Sequence, residues 1–175
     1  YGFIWVGTKD KGLNMFDPSS GKCLRYVANE NNGNSISNNQ INTIYEDADG
    51  DLWVGTANGL NHLIPSKKGR SLERRDGIVI YNQSSGSQNS INGNSILSIY
   101  QGASGLLWVG TDNGGLSSFN KHARVFKNYA FDPNNNKGLL SNKITALLDD
   151  RSEILWIGTN AGINKIDRQG ERFEL

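Results

Sequence analysis

LWVGTANGLN (residues 52–61) is one of four nearly identical lines in this chain. The others are IWVGTKDKGLN (4–14), LWVGTDNGGLS (107–117) and LWIGTNAGIN (155–164), and together they hold all four tryptophans of the 175-residue sequence. Such a phrase is either a site used four times or the brickwork of a repeated sheet. The spacing decides. Trp5, Trp53, Trp108 and Trp156 lie 48, 55 and 48 residues apart, and a period of about 50 marks a propeller or an array of repeats.

The other landmarks keep register with the tryptophans. Ile41, Ile96 and Ile144 each precede a tryptophan by 12 residues, and Tyr26, Tyr81 and Tyr129 each precede one of those isoleucines by 15. From tryptophan to tyrosine the count is 21 in the first and third units but 28 in the second. The excess of seven (28 − 21) falls between His62 and Ile78, an insertion confined to one connection.

Within a unit, INTIYED, ILSIYQG and ITALLDD are short, rich in β-branched or aromatic residues and closed by turns, which predicts strands. DADG, GASG and DRSE lead from them into the tryptophan strand. A turn of KDKG, ANG, DNGG or NAG follows, then a third strand, then a fourth carrying the tyrosine. A four-stranded antiparallel meander cannot bury both faces alone. Set radially, each sheet covers its neighbour, so the fold class expected is all-β, a β-propeller. The units fall at approximately 1–33 (partial, lacking its first strand), 34–88, 89–137 and 138–175. Each tryptophan is then expected to fill the gap between adjacent sheets, where its large area counts most. The following Gly-Thr is expected to end the strand, Gly allowing unusual backbone or close approach and Thr bonding a turn amide.

Composition narrows the function classes. Eighteen basic and 17 acidic residues give a net charge of +1, no electrostatic footprint for nucleic acid or an anionic membrane. Cys23 is the only cysteine, so neither an internal disulfide nor a CxxC metal site is expected. No run of 18 apolar residues exists, and the opening residues are not expected to be a signal peptide. Twenty-three asparagines and 21 glycines, against three prolines, predict many tight turns.

The pattern N-x-I-x-x-I-x-x-D-x-x-G-x-L-W-[VI]-G-T-x-x-G-L-N resembles the two-component regulator propeller repeat. The likeness covers Gly2 to Tyr26, Asn39 to Tyr81, Asn94 to Tyr129 and Asn142 to Leu175. It implies a periplasmic, non-catalytic sensor region of a hybrid two-component histidine kinase of the Bacteroidetes, detecting a glycan-derived oligosaccharide without a cofactor. Family members carry seven-bladed propellers, so these units are expected to belong to a larger ring. The remaining blades, or a second copy of the chain, would complete it.

The sequence offers few catalytic or metal-binding motifs. His62, in a third strand, and His122, in a third-to-fourth connection, lie at different registers with no nucleophile nearby. DADGD (47–51) has the look of a calcium loop, but the twelfth position holds Asn58 where glutamate is needed. It is expected to be a hairpin turn. No phosphate loop is present. Lys67, Lys68, Arg70, Arg74 and Arg75 form one basic run in the insertion, expected as a solvated loop. Propellers bind ligands on the face bearing the second-to-third and fourth-to-first connections. Here that face offers Lys9, Asp10, Lys11, Asn58, Asp112, Asn113 and Asn160, which differ between units. The connections 28–39, 82–94 and 130–142 add many Asn and Ser side chains. Amides and carboxylates suit sugar hydroxyls, while Asn and Ser are also the default turn formers. Phe131 is the one aromatic in these loops placed to stack on a sugar. The alternatives are a propeller enzyme, such as a polysaccharide or streptogramin lyase, and a protein-interaction scaffold.

Overall fold

In the computed structural model of the chain, residues 2–64, 77–84, 87, 89–150, 154–167 and 173–174 are described. Among the described residues, fifteen strands form four antiparallel sheets. Sheet 1 is β1 (Ile4–Gly7), β2 (Leu13–Asp17) and β3 (Lys22–Tyr26). Sheet 2 is β4 (Ile41–Glu46), β5 (Leu52–Thr56), β6 (Gly59–Ile64) and β7 (Gly77–Tyr81). Sheet 3 is β8 (Ile96–Gln101), β9 (Leu107–Thr111), β10 (Leu116–Asn120) and β11 (Val125–Tyr129). Sheet 4 is β12 (Ile144–Asp149), β13 (Ile154–Thr159), β14 (Gly162–Asp167) and β15 (Phe173–Glu174). Every sheet is a simple meander, the arrangement the short strands and tight turns predict. The chain divides into two compact units, Tyr1–Tyr81 and Asn82–Leu175, each holding two sheets.

The repeat is visible in the register. Tyr45 faces Trp53, Tyr100 faces Trp108 and Leu148 faces Trp156 across the first two strands. A bulge interrupts the same place in each pair, at Ile41/Thr43, Ile96/Ser98 and Ile144/Ala146. A bulge bends and twists its strand, and here it sits beside the in-register isoleucine. The glycine of the tryptophan phrase meets that isoleucine. A Cβ at Gly7 would stand 2.5 Å from Ile41 Cγ2, and one at Gly110 would stand 2.6 Å from Ile144 Cγ2. Neither glycine has a positive φ. The glycine is therefore a notch for the next sheet, the close approach rather than the unusual backbone. β5, β9 and β13 each end at that Thr and β1 ends at the Gly, so the Gly-Thr pair closes the strand as expected.

Each unit has its own core. In the first, Leu13, Met15, Tyr26, Ile36, Leu52, Val54 and Leu63 pack together, with half-buried Trp5 against them. In the second, Trp108, Leu116, Leu139, Ile144, Leu155, Ile157 and Ile166 do so. Ile36, Ile91 and Leu139 are apolar anchors in the middle of otherwise polar connections, all at most 2% exposed. Burying one such side chain stabilises by about 1.5–3 kcal/mol, which fixes loops otherwise made of Asn and Ser.

The tryptophans are not equivalent. Trp53 and Trp108 are buried, as the packing argument requires, but Trp156 is 38% exposed. Its face of sheet 4 also carries Leu148 and Ile163, 64% and 60% exposed. Among the described residues that face is left partly uncovered.

Candidate functional site

The turn after the tryptophan strand is built the same way four times. Thr8 Oγ1 donates to the Gly12 carbonyl at 2.8 Å and accepts from the Lys11 amide at 2.9 Å. Thr56 does so with Gly59 and Asn58, Thr111 with Gly115 and Gly114, and Thr159 with Gly162 and Ala161, at 2.8–3.1 Å. The closing glycine has positive φ each time: 77° at Gly12, 124° at Gly59, 83° at Gly115 and 141° at Gly162. At Gly12 and Gly115 a Cβ would also strike the carbonyl of Tyr26 or Tyr129 at 2.2 Å. Thr and Gly are thus the fixed frame of the turn.

What the frame holds out varies. Lys9, Asp10, Lys11, Asn58, Asn113 and Asn160 are exposed, and Asp112 is half-buried. Lys11 and Asp10 approach to 3.6 Å while both remain exposed, a pairing worth little. Asp112 Oδ1 lies 2.7 Å from Lys143 Nζ, tying the turn of sheet 3 to the start of sheet 4.

The fourth-to-first connections run along the same edge and lace the turns together. In the first unit Gly12 N–H donates to the Asn39 carbonyl, Ile41 N–H to Thr8, and Ala57 N–H to Gln40, at 2.9–3.1 Å. In the second, Gly115 N–H donates to Asn142 and Asp112 N–H to Ser95, both at 2.9 Å. Within each unit the predicted turn residues and the Asn-rich connection therefore share one edge of the sheets: Lys9–Lys11 with Asn58, and Asp112, Asn113 with Asn160.

Many of the asparagines are committed to structure. Asn39, Asn94 and Asn142 each use Oδ1 to accept a loop amide two residues after the in-register tyrosine, from Ala28, Gln83 and Phe131, at 2.6–2.8 Å. Asn61 and Asn164, both 0% exposed, accept from the Ser37 and Leu140 amides at 2.8 and 2.9 Å. Asn29, Asn32, Asn38 and Asn135 cap the amide two residues on. Sequence reasoning missed these individual roles, although their recurrence in register was a usable signal. Phe131 is 43% exposed on its connection.

The remaining candidates resolve into scaffold. His62 stacks on Trp53 at 4.1 Å with planes 3° apart, and its Nε2 meets Asp51 Oδ2 at 2.8 Å. His122 lies in the exposed turn between β10 and β11, where Asn120 Oδ1 accepts its amide. DADGD is a hairpin turn: Asp47 Oδ1 accepts from the Asp49 and Asp51 amides, and Oδ2 from Trp53 Nε1 at 2.9 Å. Among the described residues, no group of three or more His, Cys, Asp or Glu could hold a metal ion. Cys23 is an exposed free thiol. The basic run Lys67, Lys68, Arg70, Arg74 and Arg75 lies outside the described residues.

Comparison with known proteins adds the family. The model of the two component regulator propeller matches residues 35–58, 90–113 and 138–161. Each match runs from a loop anchor, through the first two strands, to the candidate turn. A histidine kinase of Formosa agariphila is 31% identical over 164 residues, covering 93% of this chain and 11% of the kinase. The extracellular domain of a hybrid two component system of B. thetaiotaomicron superposes over 99% of this chain and 22% of its own, with TM-score 0.77 and 22% identity. The extracellular domain of a one component system of the same organism covers 98% of this chain and 23% of its own, at TM-score 0.74 and 25% identity. The chain thus spans well under two thirds of these relatives. Its sheets are propeller blades, and three of its four repeats match the two component regulator propeller.

Proposed function

We propose that this segment is a non-catalytic, extracytoplasmic sensing propeller of a hybrid histidine kinase system, and that it detects an oligosaccharide derived from a complex glycan. The observation that carries the reading is the contrast inside the repeated turn. Thr and Gly are constant and buried in hydrogen bonds, while the exposed residues between them change from sheet to sheet. A constant frame with variable amide, carboxylate and ammonium groups along one edge suits directional recognition of hydroxyls. The extracytoplasmic placement is supported by the related domains, which are extracellular parts of signalling systems. Binding acts on a linked kinase only through unequal affinity for two arrangements of the receptor. A further blade, or a second copy, would cover Leu148, Trp156 and Ile163.

The test is calorimetric titration of the chain with oligosaccharides released from complex glycans, alongside chromatography of each sugar after incubation. Saturable binding with the sugar recovered intact is expected. Failure of every oligosaccharide to bind, or the appearance of cleavage products, overturns the reading; products would favour a lyase. Asn58→Ala, Asn113→Ala and Asp112→Asn should each weaken binding while leaving the unfolding midpoint nearly unchanged.

A further inference from the structure

Two sheets close the turn between their first and second strands with an aspartate. In sheet 2, Asp47 accepts from the Asp49 and Asp51 amides at 3.0 Å each and from Trp53 Nε1 at 2.9 Å. In sheet 4, Asp150 Oδ2 accepts from Trp156 Nε1 at 2.8 Å. In sheet 3 the residue at that register, six before Trp108, is Gly102.

The rest of the turn is unchanged. Asp47 N–H donates to the Asp51 carbonyl and Gly50 N–H to Asp47, at 3.0 and 2.9 Å. Gly102 N–H donates to Leu106 and Gly105 N–H to Gly102, again at 3.0 and 2.9 Å. The turn glycines share a φ of 79° and 80°. The indole is seated alike, with Trp53 6.1 Å from Tyr81 and Trp108 6.0 Å from Tyr129.

What differs is the acceptor. Trp108 is 4% exposed, and its Nε1 has no hydrogen-bond partner. The amides of Ser104 and Leu106, the counterparts of Asp49 and Asp51, have no acceptor among the described residues. Three N–H groups therefore converge on the place that a carboxylate fills in sheet 2. Converging amides form an anion-binding concavity, and hydrogen bonds from them to an ionised oxygen are the strong kind. A buried donor left unmade is costly, so an acceptor brought to it is favoured.

We propose that this turn of sheet 3 is a binding site for a carboxylate supplied from outside the sheet, either a small free carboxylate or that of a sugar acid. It takes one oxygen on the Ser104 and Leu106 amides and the other on Trp108 Nε1, as Asp47 does in sheet 2. The site lies at the Leu107 end of β9, the opposite end from Thr111, so it is separate from the edge proposed to sense oligosaccharides and does not depend on that reading.

The experiment follows the indole N–H signals of the ¹⁵N-labelled chain by NMR, with Trp108→Phe assigning the Trp108 signal. Sodium formate and sodium glucuronate are titrated against sodium chloride at equal ionic strength. A saturable shift of the Trp108 signal with formate, beyond that in chloride, is expected. Glucuronate producing the same shift assigns the site to sugar acids; formate alone assigns it to small carboxylates. Gly102→Asp should place the signal near its formate-saturated position and abolish the response. A Trp108 signal that moves no more in either carboxylate than in chloride overturns the proposal, as does an undiminished response in Gly102→Asp. Formate should also raise the thermal midpoint of the wild type and not that of Trp108→Phe, and an equal rise in both counts against the site.

Discussion

Sheets 2 and 4 contain the same bond in different surroundings. In both, an aspartate six residues before the tryptophan accepts its indole N–H, at 2.9 and 2.8 Å. Trp53 is 0% exposed and stacked on His62, whereas Trp156 is 38% exposed. The hydrogen bond is therefore a property of the repeat's own turn, and burial is a property of what lies against the sheet. The local pattern writes the first; only neighbours supply the second.

Four measurements can break or sharpen that contrast, each read as a shift in the denaturant unfolding midpoint. Trp53→Ala should have the largest effect, about 3–5 kcal/mol, as expected for emptying an aromatic site in a core. Trp156→Ala should lose less, about 1–2 kcal/mol, because half-exposed area contributes less. Equal losses would show that burial is not what separates them. Asp47→Ala should cost about 1–3 kcal/mol by stranding buried donors. The same change at Asp150 should cost clearly less, since water can reach the Trp156 indole.

Thr56→Ala should cost about 1 kcal/mol, one net hydrogen bond and a part-buried turn amide. Thr159→Ala, in an exposed copy of the turn, should fall below it. The smallest effect is acid-dependent. Ser19 and then Ser20 donate to the Asp17 carboxylate, holding its pKa down to about 2 from 3.8. A carboxyl lowered on folding stabilises above its unfolded value, so this contribution is present above 3.8 and vanishes as the pH falls through about 2. Asp17→Asn should narrow the midpoint difference from wild type as pH drops through that window, and a difference constant across it would remove the carboxylate from the argument.

Much of this was legible in the residues. The period, the strands and the role of Thr follow from a phrase repeated in register, because each copy faces the same local constraints. The exposure of Trp156 was not legible in its own phrase, which nearly repeats that of buried Trp53; it followed only from the expectation that these units belong to a larger ring. The asparagines were half legible. Their abundance predicts turns, but that Asn61 is fully buried on the Ser37 amide while Asn58, three residues earlier, is exposed depends on which way the strand faces. The substitution of Gly102 for aspartate was in plain view and needed only the structure to say what the aspartate does. The turn residues Lys9, Asp10, Lys11, Asn58, Asp112, Asn113 and Asn160 were placed on the correct connections, yet their chemistry toward a ligand comes from no feature of the chain alone.

The insertion before β7 has a meaning for how such sheets diversify. β2 and β3 pair Phe16 with Cys23, and β10 and β11 pair Phe119 with Phe126, seven residues apart in each case. β6 and β7 make the corresponding pair with Leu63 and Ile78, fifteen apart, and the ladder continues unaltered to Leu60 and Tyr81. That is eight more (15 − 7), of which the one-residue-shorter ANG turn offsets one. Lengthening a closed loop about twofold costs only about 0.6 kcal/mol in chain entropy, so the sheet barely registers the extra chain. A whole epitope, tag or small domain could be spliced between Ile64 and Gly77 while the tryptophan brickwork stays as it is.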